Sequence, residues 1–135
     1  MKRFLITLLF ISSVSWAQTE NNVPGPAITF EESSFDFGDI YQGDKVEHIF
    51  AFENTGDAPL IITNVQVTCG CTATEWKREP ILPGEKSSIR VNFDSAHKVG
   101  RQNKVITIVS NSVAPLNQVK IVTNVLPPKK DSDSQ

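Results

Sequence analysis

Long apolar runs and concentrated positive charge are both scarce in this 135-residue sequence. One apolar stretch lies at residues 4–11, well short of the roughly 20 residues that a membrane-spanning helix needs. Basic residues form no long run, and the formal net charge is -2. Proteins that bind nucleic acid need a concentrated cationic face that displaces counterions. The sequence therefore predicts no integral membrane segment after export and no nucleic-acid partner.

Recognisable catalytic constellations are also missing. The chain has no Gly-x-Ser-x-Gly elbow and no His-Glu-x-x-His motif. The triplet Asp36-Phe37-Gly38 occurs in kinases, but there it works beside a glycine-rich phosphate loop and a catalytic loop, which this sequence lacks. We interpret it as a strand followed by a turn, with Gly38 allowing the bend. The sequence predicts that the protein is not an enzyme and has no cofactor.

The N-terminus has the three parts of a secretory signal peptide. Lys2 and Arg3 precede the apolar stretch, and small residues follow it up to Ala17. No cysteine comes directly after the stretch, so a bacterial lipid anchor is not predicted. We expect residues 1–17 to be removed and the mature chain, starting at Gln18, to be exported to the periplasm, cell envelope or extracellular space.

Apolar residues alternate with polar ones along most of the mature chain, which is the period of β-strands. The segment 104–109 is a run of mainly apolar residues and predicts a central strand packed on both faces. Turn formers such as Pro83-Gly84 separate the segments, and no 3.6-residue stripe predicts a helix. The pattern indicates an all-β, immunoglobulin-like β-sandwich of about seven strands. The predicted strand segments are 27–30, 35–37, 45–53, 60–67, 72–76, 86–93, 104–109 and 119–125.

These segments divide the chain into a signal peptide (1–17), a flexible lead (18–26), one domain (27–126) and a disordered tail (127–135). The lead contains Pro24-Gly25-Pro26, and the tail is rich in Pro, Lys, Asp and Ser. A single domain of about 100 residues buries enough surface to fold alone. It does not need disulfides for stability, which draws attention to its two cysteines.

Several short motifs occur in a fixed order between Phe35 and Asn111. They are Phe35-Asp36-Phe37-Gly38-Asp39-Ile40, Phe52-Glu53-Asn54-Thr55-Gly56, Cys69-Gly70-Cys71-Thr72, Pro83-Gly84 and Val91-Asn92-Phe93. Their order and spacing resemble the domain of unknown function 1573 family. The resemblance implies a secreted bacterial domain, often from Bacteroidetes, with an immunoglobulin-like fold similar to Hydin and major-sperm-protein domains. It implies no chemical activity.

The segment Cys69-Gly70-Cys71 is the main candidate site. In an extended strand, residues two apart are separated by about 6.6 Å, near the upper limit for a disulfide. Closing the bond therefore needs a kink, which Gly70 permits. The ring would contain three residues, and the chain-entropy model assigns it only about 1.6 kcal/mol. Such a bond should be comparatively easy to reduce.

Three interpretations of this pair stay open. Cys69 and Cys71 form a structural pair that faces the core, as thiols or as a disulfide made in an oxidising compartment. Alternatively, they bind Cu(I) or Zn(II) with help from His48 or His97. In the third interpretation they are a redox-active dithiol, although the usual spacing is Cys-x-x-Cys at a helix N-terminus. His48 lies on the apolar face of its strand and is typical of a core histidine, whereas His97 lies in a polar loop.

Two further residues are candidates. Trp76 is a large aromatic residue in a charged stretch, and it either covers one end of the core or anchors an interface. Asp94-Ser95-Ala96 resembles the O-glycosylation acceptor pattern of Bacteroidetes, which makes Ser95 a possible acceptor. No Asn-x-Ser/Thr sequon occurs in the chain.

The sequence predicts a non-enzymatic, exported interaction or structural module of the bacterial cell envelope. Its partner would be another envelope protein or a surface component, bound by strand edges or by the loops 54–59, 72–80 and 94–102. The alternative function is a thiol- or metal-binding, or redox-active, periplasmic protein that uses Cys69 and Cys71.

Overall fold

The computed structural model describes residues 24–130. The predicted signal peptide (1–17), most of the lead and the last five residues of the tail lie outside the described residues. For those segments the sequence-based expectations stay predictions.

The described part of the chain contains eight β-strands and no helix. The all-β sandwich is thus confirmed, with eight strands rather than about seven. The strands are β1 (Ile28–Phe30), β2 (Ser34–Tyr41), β3 (Lys45–Asn54), β4 (Ile62–Val67), β5 (Thr72–Trp76), β6 (Lys86–Asp94), β7 (Gly100–Ser110) and β8 (Leu116–Leu126).

The strands form two four-stranded sheets. Sheet A has the order β1-β3-β6-β5 and sheet B the order β2-β8-β7-β4. All neighbouring strands are antiparallel except β2 and β8, which are parallel. The chain changes sheet at each connection from β1 to β5 and again between β6 and β7. Strands β4 and β5 are therefore both edge strands, joined by a short crossover.

Strand β7 differs from its prediction in two ways. It begins at Gly100 instead of Lys104, because its polar first residues pair with β8 through backbone hydrogen bonds that need no apolar pattern. It lies inside sheet B as expected, but the prediction that both its faces are packed is wrong. Ile106 and Ile108 are buried, whereas Val105 and Val109 are only half-buried on the outer face. In the described part of the chain, no third layer covers that face.

The core lies between the inner faces of the two sheets. Period-2 alternation puts every second side chain of the central strands into this layer. Each fully buried aliphatic or aromatic side chain stabilises the fold by about 1.5–3 kcal/mol relative to exposure. The largest fully buried side chains are Phe50, Phe52, Phe93, Leu60, Ile81, Ile89, Ile106, Ile108, Ile121, Val91, Val119 and Val125.

Asn54, at the end of β3, is a fully buried polar residue. Its side-chain Nδ2 donates hydrogen bonds to the carbonyl oxygens of Ala58 and Ile81, both at 2.8 Å. Its Oδ1 accepts from the backbone N–H groups of Ala27 (3.3 Å) and Gly56 (3.0 Å). One side chain thus connects the entry to β1, the loop after β3 and the segment after β5. All of its donor and acceptor groups are paired, which is the condition for burying an amide at low cost.

Gly56 lies where two backbone segments pass very close together. A Cβ atom at this position would lie 2.1 Å from the carbonyl oxygen of Gly25 and 2.5 Å from the nitrogen of Ala27. The two segments are also hydrogen-bonded: Asp57 N–H donates to the Gly25 carbonyl and Thr55 N–H to the Ala27 carbonyl. Only a residue without a side chain fits this contact.

We predict that Asn54→Asp lowers the free energy of unfolding by at least about 3 kcal/mol at pH 7. The substitution keeps the shape, but it removes both Nδ2 donations and places a carboxylate oxygen against two carbonyl oxygens. Denaturant unfolding measures the loss. The matched control is Asn111→Asp, whose exposed amide makes similar loop contacts to Ile61 and Pro59. We expect less than about 1 kcal/mol there, and equal losses would contradict the role of Asn54.

We also predict that Gly56→Ala destabilises the domain by about 2–3 kcal/mol, because the added methyl group pushes apart hydrogen-bonded backbone segments. Gly70→Ala is the control, since a Cβ atom there meets nothing within 4 Å. A thermal unfolding scan of both variants checks the difference. Similar midpoints for the two would show that the contact at Gly56 relaxes easily.

Candidate functional site

The crossover between β4 and β5 contains both cysteines. Strand β4 ends at Val67 and β5 begins at Thr72, so residues 68–71 leave the strand conformation and cross from sheet B to sheet A. Cys69 and Cys71 are joined by a disulfide with a Cα–Cα distance of 5.3 Å, which lies within the ordinary range. Because the chain bends here, the two side chains do not share one face of a continuous strand. Cys71 packs against the core, and both cysteines are partly exposed.

The protein backbone holds the crossover in place next to the disulfide. The Asp94 N–H donates to the carbonyl of Cys71 at 2.9 Å, which extends the pairing of β5 with β6 by one residue. The Thr72 hydroxyl lies 3.8 Å from the sulfur of Cys69 and 4.0 Å from that of Cys71. The disulfide therefore has a hydroxyl group beside both of its sulfur atoms.

An open depression of about 610 Å³ lies on the Cys71 side of the crossover. Cys71, Gly70 and Phe93 form part of its wall, and Lys45 and Asp94 supply charged groups. The Lys45 ammonium lies 4.0 Å from the Asp94 carboxylate and is mostly exposed, so this ion pair contributes little to stability. The depression gives a solvent path to one side of the disulfide.

The two histidines lie apart from one another. His48 stacks on the ring of Phe35 at 3.7 Å between centroids and contacts Phe50 edge-on, while its Nε2 pairs with Glu32. These contacts are those of a satisfied histidine at the border of the core. His97 is exposed in the loop after β6 and has a φ of 61°. Among residues 24–130, no three His, Cys, Asp or Glu side chains form a group suited to a metal ion.

Ser95 is fully buried, and its single O–H is shared between the carbonyl oxygens of Asp44 (2.7 Å) and Tyr41 (3.0 Å). The expectation that a sugar fits at Ser95 therefore conflicts with the folded geometry, because a glycan needs an accessible hydroxyl. Ser95 instead forms a structural contact between the end of β6 and the turn that joins β2 to β3.

Trp76 lies at the end of β5 and packs against the core cluster. The guanidinium carbon of Arg78 lies 3.8 Å from the centre of its ring, in a cation–π arrangement. The indole is half-buried and one face is already covered. This environment fits a residue that closes one end of the core better than an interface anchor.

Next to Trp76, Lys77 and Glu85 form an exposed ion pair. Lys77 Nζ donates to Glu85 Oε1 at 2.7 Å, and Leu82 N–H donates to Glu85 Oε2 at 3.0 Å. The hydrogen bond with Lys77, followed by that from Leu82, lowers the pKa of Glu85 below its usual value. The same contact with Glu85 raises the pKa of Lys77. The pair fixes the β5–β6 connection at the surface and adds little stability.

A larger feature surrounds the cysteines. Residues 58–74, which we call the uncharged flank, contain no Lys, Arg, Asp, Glu or His. They include all of β4, the crossover and β5 as far as Thr74, whereas the end of β5 carries the exposed Glu75. Strand β7, the neighbour of β4, continues the pattern, because residues 105–119 also lack charged side chains. The absence of charge could be read from the sequence, but its position at the sheet edges could not.

The described part of the chain includes no helix that is long and apolar enough to cross a membrane. No curated protein matches the chain in sequence. Solved structures show that the fold is shared. A protein of unknown function from Porphyromonas gingivalis W83 has a TM-score of 0.66 at 20% identity, covering 78% of this chain and 50% of that one. The chain thus spans about half the length of that protein.

Two further structures have the same fold at lower identity. The PapD-like domain 7 of human CEP192 has a TM-score of 0.64 at 9% identity, with 91% of this chain and 100% of that one covered. The secreted serine protease VesC from Vibrio cholerae has a TM-score of 0.58 at 14% identity, with 73% and 23% covered. At these identities the likeness shows the fold alone.

The motifs that the sequence carries in order now have a structural meaning. Asn54 and Gly56 form the buried junction after β3, and Cys69-Gly70-Cys71 forms the crossover. The family model described as protein of unknown function (DUF1573) matches residues 28–125, from the first strand to the end of the last. The chain belongs to this family.

Proposed function

We propose that the protein is an exported, non-enzymatic module of the bacterial cell envelope that binds another envelope protein or surface component through its uncharged flank. Export is supported by the signal-peptide pattern of residues 1–17. A binding role is supported by the edge strands of the sandwich, a fold that this chain shares with the PapD-like domain of human CEP192. The lack of any recognisable catalytic motif in the sequence agrees with a non-enzymatic role.

The observation that carries the proposal is the absence of charge at the β4 edge. Folded proteins usually protect an edge strand with charged side chains, because its free N–H and C=O groups pair readily with another strand. Thr63, Asn64 and Gln66 are exposed on β4, and all three are uncharged. An edge of this kind suits the addition of an extended segment from a partner.

Two details limit where a partner strand can pair. The register between β4 and β7 shifts between Ile62 and Asn64, so the strand is irregular at its start. The N–H of Val65 is bonded to the Oδ1 of the preceding Asn64 at 2.9 Å. The side chain of Asn64 therefore satisfies one edge amide in the free protein, and an incoming strand would displace it.

The opposite layer has a different surface. On the outer face of sheet A, Arg90 lies between Glu47 (3.6 Å) and Glu75 (3.5 Å). These charged side chains stay hydrated and oppose burial against a partner. Of the loops that the sequence offered for binding, 54–59 is tied to the buried Asn54. The contrast in charge favours the flank over sheet A.

Export predicts a specific intact mass. Protein recovered from the envelope fraction of its own host should begin at Gln18, with residues 1–17 removed. Mass spectrometry of the undigested protein checks this directly. A chain that retains Met1 and stays with the cytoplasmic fraction would contradict the export part of the proposal.

Binding through the flank predicts that Gln66→Lys weakens partner capture at least about tenfold, because the new charge would be buried unpaired at the edge. The measurement is crosslinking in the envelope fraction, followed by quantification of one reproducibly captured protein. Ser88→Lys is the matched control. It adds the same charge at an exposed position on the outer face of sheet A.

Three results are distinguishable. Capture by wild type and Ser88→Lys but not by Gln66→Lys supports the flank. Equal capture by all three proteins contradicts it, and loss in both variants indicates a general charge effect. Unfolding midpoints of the variants must match that of the wild type, which shows that the fold is intact.

A further inference from the structure

We propose that Cys69 and Cys71 form a thiol–disulfide exchange site, at which an external dithiol reduces the bond by attack on Cys71 from the open depression. This inference concerns the chemistry of the crossover and does not depend on the partner proposed for the flank. It rests on three properties of the site: the small ring, the independent support of the strands, and the position of Cys71 in the wall of the depression.

The disulfide closes a very small ring. Only Gly70 lies between the bonded residues, so the bond restricts the unfolded chain far less than one that closes a long loop. By the chain-entropy model, loss of this bond shifts the folding equilibrium about 200-fold less than loss of a bond that closes a loop of roughly 100 residues. The bond joins parts of the chain that are already adjacent. Stabilising the fold is therefore a poor explanation for its position.

The two strands beside the disulfide are held by other contacts. Strand β4 pairs with β7, and β5 pairs with β6 from Thr72 to Trp76. The Asp94 N–H holds the carbonyl of Cys71, and the isolated bridge between Leu60 and Ile81 joins the outer ends of the two segments. Breaking the sulfur–sulfur bond should therefore free the thiols without unfolding the domain.

Both cysteines are partly exposed, but they differ in their relation to the depression. Cys71 lines the depression of about 610 Å³, whereas Cys69 is not among its lining residues. We expect a thiolate that enters the depression to attack the sulfur of Cys71, because this is the cysteine that lines it. The sulfur of Cys69 is then the leaving group, with the Thr72 hydroxyl 3.8 Å away to donate a hydrogen bond to the developing thiolate. Lys45 adds a positive charge at the rim, opposed by the carboxylates of Glu47 and Asp94.

The reaction balances as a two-electron reduction. The first thiolate of the dithiol bonds to Cys71 Sγ, the Cys69–Cys71 bond breaks, and its electron pair leaves on Cys69 Sγ, which takes up a proton. The second thiolate of the dithiol then attacks the mixed disulfide and releases Cys71 as a thiolate, which is also protonated. The dithiol is oxidised to a disulfide, and the protein gains two thiols.

Equilibration of the mature protein in mixtures of reduced and oxidised glutathione tests whether the disulfide can be reduced while the domain stays folded. After acid quenching and alkylation, intact mass counts the thiols, and tryptophan fluorescence reports folding. We expect both thiols to appear together while the fluorescence remains that of the folded domain. Reduction only upon unfolding, or no reduction in a large excess of reduced glutathione, would overturn the proposal.

Two single-cysteine variants test the direction of attack. Cys69→Ser leaves the thiol that lines the depression, and Cys71→Ser leaves the other. We expect the Cys69→Ser protein to react with the aromatic disulfide 5,5′-dithiobis(2-nitrobenzoate) at least about tenfold faster than Cys71→Ser. Equal rates, or a faster Cys71→Ser protein, would overturn the assignment of Cys71 as the attacked sulfur. Unfolding midpoints of both variants verify that each is folded.

Discussion

The hydrogen bonds of the buried Asn54 amide are the interaction on which the arrangement of this sandwich depends. Asn54 ends β3 in sheet A, and its amide contacts the entry to β1 and the Ile81 carbonyl, 27 residues further along the chain. Its backbone joins the same junction, since Asn54 N–H donates to Glu85 and the Asn54 carbonyl accepts from Gly84. Apolar packing holds the sheets together without fixing how loops enter them. The hydrogen-bonded donors and acceptors at Asn54 do fix how these loops enter the sheets.

The same junction explains why the proposed functional surfaces lie in another part of the sandwich. The loop after β3 is closed by Asn54 and by the close approach of Gly56 to Gly25, so its polar groups are used internally. The crossover on the side of β4 and β5 has few such contacts, lacks charge over residues 58–74 and contains the disulfide. Buried polar contacts thus fix the junction at Asn54, while an accessible edge and a small-ring disulfide lie on the side of β4 and β5.

Much of the fold could be predicted from the alternation of apolar and polar side chains. The candidate site at the cysteines could be predicted only in part. The crossover of Cys69-Gly70-Cys71 was expected to bend, because the extended distance is too long for a bond. Ser95 matched an acceptor motif of three residues, but its hydroxyl binds carbonyls 51 and 54 residues away. No local pattern contains those partners. The outer face of β7 was misjudged for a similar reason, since an apolar run does not show whether another layer covers it.

The sequence by itself determined the strand period, the turns, the absence of a predicted helix and the family, because each depends on neighbouring residues or on short motifs in order. The tertiary structure decided which strands lie at the edges, and therefore that the uncharged residues 58–74 run along two edge strands. It also decided that Asn54 and Ser95 are buried and that Cys71 lines an open depression. These properties depend on the order of strands in the sheets, which brings together residues distant in sequence and which side-chain alternation does not specify.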